Sequence, residues 1–446
     1  MTRPSSEAEY LGSLIPASLA ATPTSRRSLL KGAFAAGALL AAPPLLTACG
    51  DGGSGSGTGT VKFGSNQSDA VPKAAISDVI AAFKKANPDI DVAINTIDHN
   101  TFQENINNYL QGSPDDAFTW FSGYRMRFFA QKGLIGDLSD LWKDLPGYSD
   151  TIKKACTGDD GKQYLVPGMY YPWAMHYRKS VFADKGYDIP KTFDDLIALC
   201  AKMKKDGMEP IAFADKDGWP AMGTFDILNL RINGFEFHVN LMAGKEDWSG
   251  SKVKKVFEQW KRILPHHQPD SLGRTWQEAA KSLYQKQTGL YYLGTFVAQQ
   301  FPKGAEQEDL DFFNFPEIDS TIGTDAIDAP VDGYMMARRP RNEAGAKKLL
   351  KFWASPEAHR VLATADASMI STNEKTDTSV YVPLQKRQME FVTKAKSLAQ
   401  FLDRDSRPDF ASTVITPALQ SFIKTPDDVD SILSKVEAQK KTIFTA

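Results

Sequence analysis

The sequence predicts an α/β protein with more than one domain, on two observations. Between residues 61 and 133, segments that alternate like β-strands and segments with helical spacing follow each other three times. Such an order favours parallel strands joined by helical crossovers. The chain has 446 residues, which is more than a single hydrophobic core usually serves, so two domains are expected.

The elements are read in chain order from Val61. The strands VKFGS, DVAINTID and AFTWFSG alternate with the helices AVPKAAISDVIAAFKKANPDI, TFQENINNYLQGSPDD and YRMRFFAQKG. The first helix is stopped by Asn87-Pro88 and the third ends at Gly133. Later, TGLYYLGTFVAQQF predicts a strand leading into a helix, and DFFNFPEID and DAPVDGYMMAR predict strands. NEAGAKKLLKFWASPEAHRVLAT predicts an amphipathic helix, and the tail from residue 372 is mostly helical.

The N-terminal region has the layout of an export signal. Arg26 and Arg27 precede an apolar run that ends in Leu-Thr-Ala-Cys49. The paired arginines resemble a twin-arginine signal, although Leu29 stands where Phe is usual, and the last four residues resemble a bacterial lipobox. We therefore expect residues 1–48 to be a signal peptide, Cys49 to carry the lipid, and residues 49–59 to form a flexible linker. The alternative is a transmembrane helix, for which the apolar run is short and broken by two prolines.

Charge and cysteine content exclude several classes of protein. The first 48 residues hold four basic and two acidic residues, so the 398 residues that follow carry 48 basic against 52 acidic ones, a net charge of −4. No nucleic-acid partner is expected. Cys156 and Cys200 could pair in an exported protein, or Cys200 could be a buried residue of a helix. No spacing typical of a metal site occurs, and we expect neither a metal nor a cofactor.

No catalytic signature is present, and the aromatic residues carry more information. They cluster where predicted strands end, and ligands of open α/β sheets bind beyond the carboxyl ends of strands. Flat aromatic faces with amides, carboxylates and arginines nearby suit a sugar ring. For any single aromatic residue, core packing is the alternative. The candidate ligand-binding residues are Asn66, Gln67, Asp69, Asp98, Trp120, Tyr124, Arg125, Tyr170, Tyr171, Trp219, Asn229, Arg231, Phe296 and Asp332.

Several blocks together resemble the family-1 extracellular sugar-binding proteins of ATP-driven importers. They are DDAFTWFSGYRMRFFAQKGLIGDLSD, YLVPGMYYPWAMHYRKSVFADKG, DGWPAMGTFDILNLRING, TGLYYLGTFVAQQFP and APVDGYMMARRPRNEAGAKKLLKFWASPEAH. The resemblance covers residues 60–446. It implies a two-lobed periplasmic-binding-protein-like fold of type II, with the ligand in a cleft between lobes that close on it. Trp120 and Phe296 match aromatic binding positions of this family, but Ser122-Gly123-Tyr124-Arg125 stands where acidic residues are common.

The resemblance also implies boundaries, partners and location. Lobe 1 would hold residues 60–170 and 330–370, and lobe 2 residues 171–329 and 371–446. The protein would be a monomeric substrate-binding component of an ABC transporter, anchored by its lipid to the outer face of the cell membrane. It would capture a carbohydrate, with a di- or oligosaccharide favoured, and deliver it to transmembrane permease subunits.

Two alternatives remain open. The first is an exported carbohydrate-active enzyme, a glycosidase or a lyase, which would need a carboxylate pair or another base at the ligand. The second keeps the binding fold but changes the ligand to a peptide, a metal or a phosphate ester. The sequence contains no recognisable catalytic arrangement, so we expect a protein that is not an enzyme.

Overall fold

A computed structural model of the protein describes residues 57–444. The predicted signal peptide and Cys49 lie outside the described residues. The strands are β1 (Gly59–Ser65), β2 (Ile90–Thr96), β3 (Ala117–Phe121), β4 (Val166–Tyr170), β5 (Trp173–Arg178), β6 (Glu209–Ala212), β7 (Thr288–Gly294), β8 (Leu310–Phe313), β9 (Ala326–Asp328), β10 (Val331–Met336), β11 (Ile370–Ser371) and β12 (Ser397–Ala399).

The helices begin with the three that follow the first strands. They are α1 (Ala70–Ala86), α2 (His99–Gln111), α3 (Tyr124–Gln131), α4 (Ser139–Trp142), α5 (Asp150–Ala155), α6 (Lys179–Lys185), α7 (Phe193–Lys205), α8 (Pro220–Met242), α9 (Ser251–Ile263), α10 (Trp276–Tyr284), α11 (Ala305–Asp309), α12 (Glu343–Trp353), α13 (Pro356–Ala365), α14 (Pro383–Lys394), α15 (Leu402–Asp405), α16 (Pro408–Phe410), α17 (Thr416–Lys424) and α18 (Val429–Phe444). The alternation predicted for residues 61–133 is confirmed.

Two large sheets organise these elements. The first has six strands in the order β11-β4-β10-β3-β1-β2, and the second has four in the order β6-β7-β5-β8. In the first sheet, β1 pairs in parallel with both β2 and β3, while β10 runs antiparallel to β3 and β4. In the second sheet, β5 is antiparallel to β7 and β8, and β6 is parallel to β7. A short pair, β9 and β12, stands apart from both sheets.

Each large sheet carries its own hydrophobic core. The first core draws on residues 61–169 and 334–381, and the second on residues 173–315 and 384–436. The chain therefore passes from one core to the other three times. The first passage is at Tyr171-Pro172, between β4 and β5, within the stretch expected to cross between lobes. The lobe boundaries themselves stay a prediction.

The two described cysteines do not form a disulfide. Cys156 and Cys200 are both free and buried. Cys156 packs in the first core and Cys200 in the second, so each thiol behaves as a small apolar side chain. Burial raises the pKa of Cys200 to about 12, and this thiol is therefore uncharged at neutral pH.

Asp215, after β6, is a buried carboxylate whose charge opposes folding. It accepts a hydrogen bond from the Ala221 N–H in the first turn of α8 (2.8 Å), while its Oδ2 has no partner among the described residues. Burial raises its pKa from 3.8 to about 7, and Asp217 adds repulsion of like sign. The pKa of Asp215 is higher in the folded state than in the unfolded state. The stabilisation by its protonated carboxyl is therefore complete below about pH 4 and is lost as the pH rises through about 7.

We expect Asp215→Asn to stabilise the protein at pH 8, by up to about 4 kcal/mol for a shift of about three pKa units. The gain should shrink toward pH 5, because the asparagine keeps the acceptor for Ala221 but cannot ionise. Urea unfolding of variant and wild type at both pH values measures the difference. Asp78→Asn, at an exposed position of α1, is the matched control and should show no such trend. A gain at pH 5 as large as at pH 8 would contradict the assignment.

Candidate ligand-binding site

A cavity of about 140 Å³ lies beyond the carboxyl ends of strands from both large sheets. Gln67 and Asp69 follow β1, and Asp98 follows β2. From the second sheet, Phe296 follows β7, and Trp173 opens β5 opposite the last residue of β7. The prediction of a site at strand ends therefore matches the position of the cavity. The wall is formed by Gln67, Ser68, Asp69, Pro72, Asp98, His99, Asn100, Gln103, Tyr171, Trp173, Asp217, Trp219, Trp276, Gln277, Phe296, Gln299, Asp332, Met369, Phe401, Asp403 and Arg404.

One side of the cavity is a continuous set of aromatic rings. Phe296 lies edge-on to Trp276, with ring centroids 5.0 Å apart, and 5.9 Å from Trp219. Trp173 stacks on Phe401 at 4.8 Å with an angle of 27° between the rings. Trp219 and Phe296 are only half-buried, so their faces are open to a ligand. Such rings present flat apolar surfaces to the C–H face of a sugar.

A glycine allows Trp173 to take its place in this wall. A Cβ atom on Gly223, in the first turn of α8, would lie 2.3 Å from Cζ3 of Trp173. The indole is fully enclosed on its α8 side, so any side chain at residue 223 would push Trp173 out of position. The position of Trp173 in the cavity wall therefore depends on glycine at residue 223.

Another part of the cavity wall is polar. The Tyr171 hydroxyl donates to Oδ1 of Asp332 (2.7 Å). Nη2 of Arg404 lies 3.7 Å from the same oxygen, and Nη2 of Arg125, behind the wall, lies 3.3 Å from Oδ2 of Asp403. Burial raises the pKa of Asp332, and the facing Arg404 opposes this rise. The chemistry of this side is that of paired donors and acceptors for hydroxyl groups.

The charge of the cavity wall is negative. Five aspartates line it, and among the described lining residues Arg404 is the one permanent cation. Burial, together with the positive charge of Arg404, lowers the pKa of His99 to about 4. His99 is therefore neutral at pH 7. Such a wall disfavours an anionic ligand and accepts a neutral or cationic one.

A hydrogen bond spans the cavity. Nε2 of Gln277, at the start of α10, donates to Oδ1 of Asp69, before α1, at 3.2 Å. Asp69 precedes a helix of the first core, and Gln277 belongs to a helix of the second core. This bond holds the two sides of the cavity together at its rim.

Half of the sequence-predicted residues line this cavity. They are Gln67, Asp69, Asp98, Tyr171, Trp219, Phe296 and Asp332. That these residues contact a ligand stays a prediction. The other half lie elsewhere, and their expected placement is corrected by the structure. They are Asn66, Trp120, Tyr124, Arg125, Tyr170, Asn229 and Arg231.

Burial in the first core explains the placement of Trp120. This residue is 1% exposed and packs against Phe102, Phe121 and Phe129. The strand β3 lies between β1 and β10 and is buried along its whole length. Its Trp-Phe pair is therefore core on both faces, and not a loop exposed to the cavity.

Hydrogen bonds within the protein occupy three more of these side chains. Asn66 accepts from the Thr119 hydroxyl through Oδ1 (2.8 Å). Nδ2 of Asn229 lies 3.0 Å from Nδ1 of His238. Arg231 donates to the Phe315 carbonyl (3.0 Å), to the Ala326 carbonyl (2.7 Å) and to Oδ1 of Asn314 (2.6 Å). These side chains therefore make hydrogen bonds within the protein, although Nδ2 of Asn66 is buried without a partner among the described residues.

The remaining three lie beside the cavity or away from it. Tyr170 is the last residue of β4 and pairs with Val331 and Ile370. Tyr124 is half-buried in α3, where Arg127 lies over its ring. Arg125 stands behind the wall and contacts Asp403, so it positions a lining residue.

Sequence reasoning missed the segment around Phe401. Asp403 and Arg404 sit on the short helix α15, in a tail predicted as mostly helical and without a motif. Trp276 and Gln277 were missed because they open a helix, and not a loop after a strand. Trp173 lies in the quoted stretch YLVPGMYYPWAMHYRKSVFADKG but was not selected. Of these residues, Trp173 is the one that the sequence could have identified, because it adjoins the stretch predicted to cross between the lobes.

Two features are absent from residues 57–444. No helix there is long and apolar enough to cross a membrane. No group of three His, Cys, Asp or Glu side chains in the same range is placed to hold a metal ion.

Residues 67–360 match the family model of the bacterial extracellular solute-binding proteins. The chain belongs to this family. The two-lobed α/β fold expected from the sequence is confirmed by a solved structure of the bacterial solute receptor AcbH. The two chains share 43% identity, with a TM-score of 0.85 over 87% of this chain and 100% of that one. AcbH is described as having an exclusive substrate preference for β-D-galactopyranose.

More distant relatives carry names of the same kind. An uncharacterised ABC transporter extracellular-binding protein of Pyrococcus horikoshii is 24% identical over 62% of this chain and 62% of its own length. The alpha-glucosides-binding periplasmic protein AglE of Rhizobium meliloti is 24% identical over 64% of this chain and 66% of its own length. The chain thus spans about two thirds of these curated relatives.

Proposed function

We propose that this protein is the sugar-binding component of an ABC importer, which captures a carbohydrate outside the cell and delivers it to membrane permease subunits. The observation that carries the proposal is the cavity itself. The aromatic rings of Trp219 and Phe296 and the paired groups of Asp332 and Arg404 line the same cavity. This combination suits the apolar face and the polar rim of a sugar ring. The names of the relatives support the same class of ligand.

A single neutral pyranose fits this cavity better than the di- or oligosaccharide favoured by the sequence. At about 140 Å³, the cavity is no larger than the one of about 150 Å³ that holds a single benzene ring, which argues against two or more linked sugar rings. The substrate described for AcbH, at 43% identity, is also a single ring. The excess of aspartates argues against uronic acids and sugar phosphates.

A sugar screen tests the proposal. Melting temperature and calorimetric titration are measured with D-galactose, D-glucose, maltose, raffinose and D-galacturonate, and the sugar is recovered for analysis. We expect a neutral monosaccharide to raise the melting temperature, since a ligand at 100 times its Kd stabilises by about 2.7 kcal/mol. D-Galacturonate should give no shift. Small-angle scattering should show a smaller radius of gyration with the best sugar, because the lobes close on it.

The screen also addresses the alternative. Recovery of a cleaved oligosaccharide would favour an exported glycosidase or lyase over a binding protein. No shift with any sugar would contradict the proposal. We propose that one lobe comprises residues 60–170 and 330–370 and the other residues 171–329 and 371–446. We also propose that the protein is a monomer.

We also propose a lipid anchor at Cys49, supported by the lipobox-like Leu-Thr-Ala-Cys sequence and by the linker at residues 50–59. Cys49→Ser should move the protein from the membrane fraction to the soluble fraction, because the acyl chains supply the membrane affinity. Immunoblots of washed membranes measure the distribution. Thr47→Ser, which leaves the acceptor cysteine in place, is the control. A Cys49→Ser protein that stays on the membrane after a salt wash would contradict the anchor.

A further inference from the structure

The guanidinium of Arg404 has no hydrogen-bond partner in the part of the chain that the structure describes. Its side chain is 10% exposed and belongs to the cavity wall. Within residues 57–444 it donates no hydrogen bond, and its contact with Asp332 is 3.7 Å long. Buried guanidinium groups normally find acceptors for their five N–H donors. The cavity is the open side from which acceptors can reach it.

Aromatic rings hold this guanidinium in a fixed plane. Its central carbon lies 4.2 Å from the ring centroid of Phe121, 5.4 Å from that of Tyr171 and 5.6 Å from that of Phe401. These rings come from three separate segments of the chain. Stacking on rings orients the planar fork of an arginine but leaves its edge free to donate.

The backbone that carries Arg404 is also fixed from several directions. Phe401 has φ 116° and ψ 140°, a conformation that a bulky residue adopts only where its surroundings enforce it. Oε1 of Gln400 accepts from the Ser122 hydroxyl (2.7 Å), and the Leu402 N–H donates to Oδ2 of Asp226 (2.7 Å). Strain of this kind gathers at ligand clamps. The segment Gln400–Asp405 is therefore a rigid support for Arg404.

The neighbours of Arg404 keep it charged. Burial alone would lower its pKa, but the facing Tyr171, Asp332 and Asp403 reverse this effect and raise it. A charged donor forms shorter and stronger hydrogen bonds than a neutral one. Oδ1 of Asp403, the preceding residue, is also buried without a partner among the described residues, so acceptor and donor belong to adjacent residues.

We propose that Arg404 is the specificity-determining residue of the cavity. Its free N–H groups donate to two adjacent oxygens of the bound sugar and fix the orientation in which the ring enters the site. This inference rests on the proposed function. It differs from a purely structural role, in which Arg404 would only tie Asp332 to the aromatic rings and the ligand would be held elsewhere.

Calorimetric titration of matched variants with D-galactose and its four monodeoxy derivatives at C2, C3, C4 and C6 tests the inference. Should another sugar of the screen bind more tightly, its own monodeoxy series takes their place. Arg404→Lys keeps the charge but loses the planar fork, and Arg404→Met loses both. Arg407→Lys is the control, since Arg407 pairs with Asp409 and lies over Phe444, outside the cavity wall.

We expect Arg404→Lys to weaken D-galactose binding by at least about thirtyfold, as for the loss of hydrogen bonds to a charged group. Arg407→Lys should stay within about twofold. The deoxy derivative that lacks a contacted oxygen should bind weakly to the wild type. On Arg404→Lys it should lose little further relative to D-galactose, because the contact is already gone. A non-additive loss of this kind is not expected of a structural role.

The inference is overturned if every deoxy derivative loses the same factor on wild type and Arg404→Lys, or if Arg404→Lys binds D-galactose like the wild type. Should Arg404→Met fail to fold, the lysine variant alone decides, with its melting temperature without sugar as the check of folding. A wild type that binds no sugar of the screen overturns the proposed function itself. The two failures are thus distinguishable.

Discussion

Replacing Trp120 with alanine is expected to lower the free energy of unfolding by about 3–5 kcal/mol, as for other buried tryptophans. The indole is enclosed by Phe102, Phe121 and Phe129 within the first core. Its removal leaves a cavity that the central strand β3 cannot close, because strands pair with it on both sides. Urea unfolding measures the loss.

The sugar affinity of folded Trp120→Ala should change by only a few fold. Two contacts connect the indole to the site. Arg125, 5.7 Å from the indole centroid, contacts Asp403, and Phe121, 4.9 Å from Trp120, lies against the guanidinium of Arg404. Trp120→Phe is the control for size and should recover part of the stability. An unchanged free energy of unfolding together with a tenfold weaker affinity would restore the placement expected from the sequence.

The contrast between Trp120 and Trp219 shows what sequence patterns can separate. Both residues are followed or flanked by glycine within three residues, in Trp-Phe-Ser-Gly and in Gly-Trp-Pro. The strand containing Trp120 lies in the middle of a six-stranded sheet covered on both faces, so burial does not alternate along it. Trp219 instead precedes Pro220 at the start of α8, where the chain turns toward the cavity. The nearby glycines therefore do not separate the two residues, whereas their positions in the fold do.

The α/β alternation was predictable because it depends on local spacing. Apolar residues in α1 recur at helical intervals, and β1 and β2 are short and bounded by polar residues. The position of the cavity at strand ends was predictable for the same reason, since parallel strands share one carboxyl edge. Residues that follow β1 and β2, such as Gln67 and Asp98, were therefore identified.

The other half of the site depends on contacts between distant segments. Arg404 reaches Phe121 and Asp332 although they are far away in the sequence. Nothing in QFLDRD marks it as part of a binding site. Asn229 and Arg231 have the residue types of a sugar site, but α8 is buried around them. Asn229 contacts His238 on the same helix, and Arg231 donates to the Phe315 carbonyl. Residue type alone does not distinguish a side chain that binds a ligand from one that forms hydrogen bonds within the protein.

The second large effect is expected at Trp219, where alanine should weaken sugar binding by at least about tenfold. Stacking on a desolvated aromatic face is worth roughly 1 kcal/mol beyond the area it buries, and the loss of the indole also removes apolar contact area. Its ring is half-buried and open to the cavity, and it packs only edge-on against Trp173 and Phe296. Calorimetric titration with the best sugar measures the change.

Stability should respond in the opposite way to affinity. Because the Trp219 ring is partly exposed, its removal should lower the melting temperature of the empty protein far less than Trp120→Ala does. The two alanine variants therefore form a matched pair, with affinity lost at one tryptophan and stability at the other. Trp219→Phe, which keeps an aromatic face, should retain part of the binding. A Trp219→Ala protein that binds the sugar within twofold of wild type but melts much earlier would show that this ring supports the loop before α8 and does not contact the ligand.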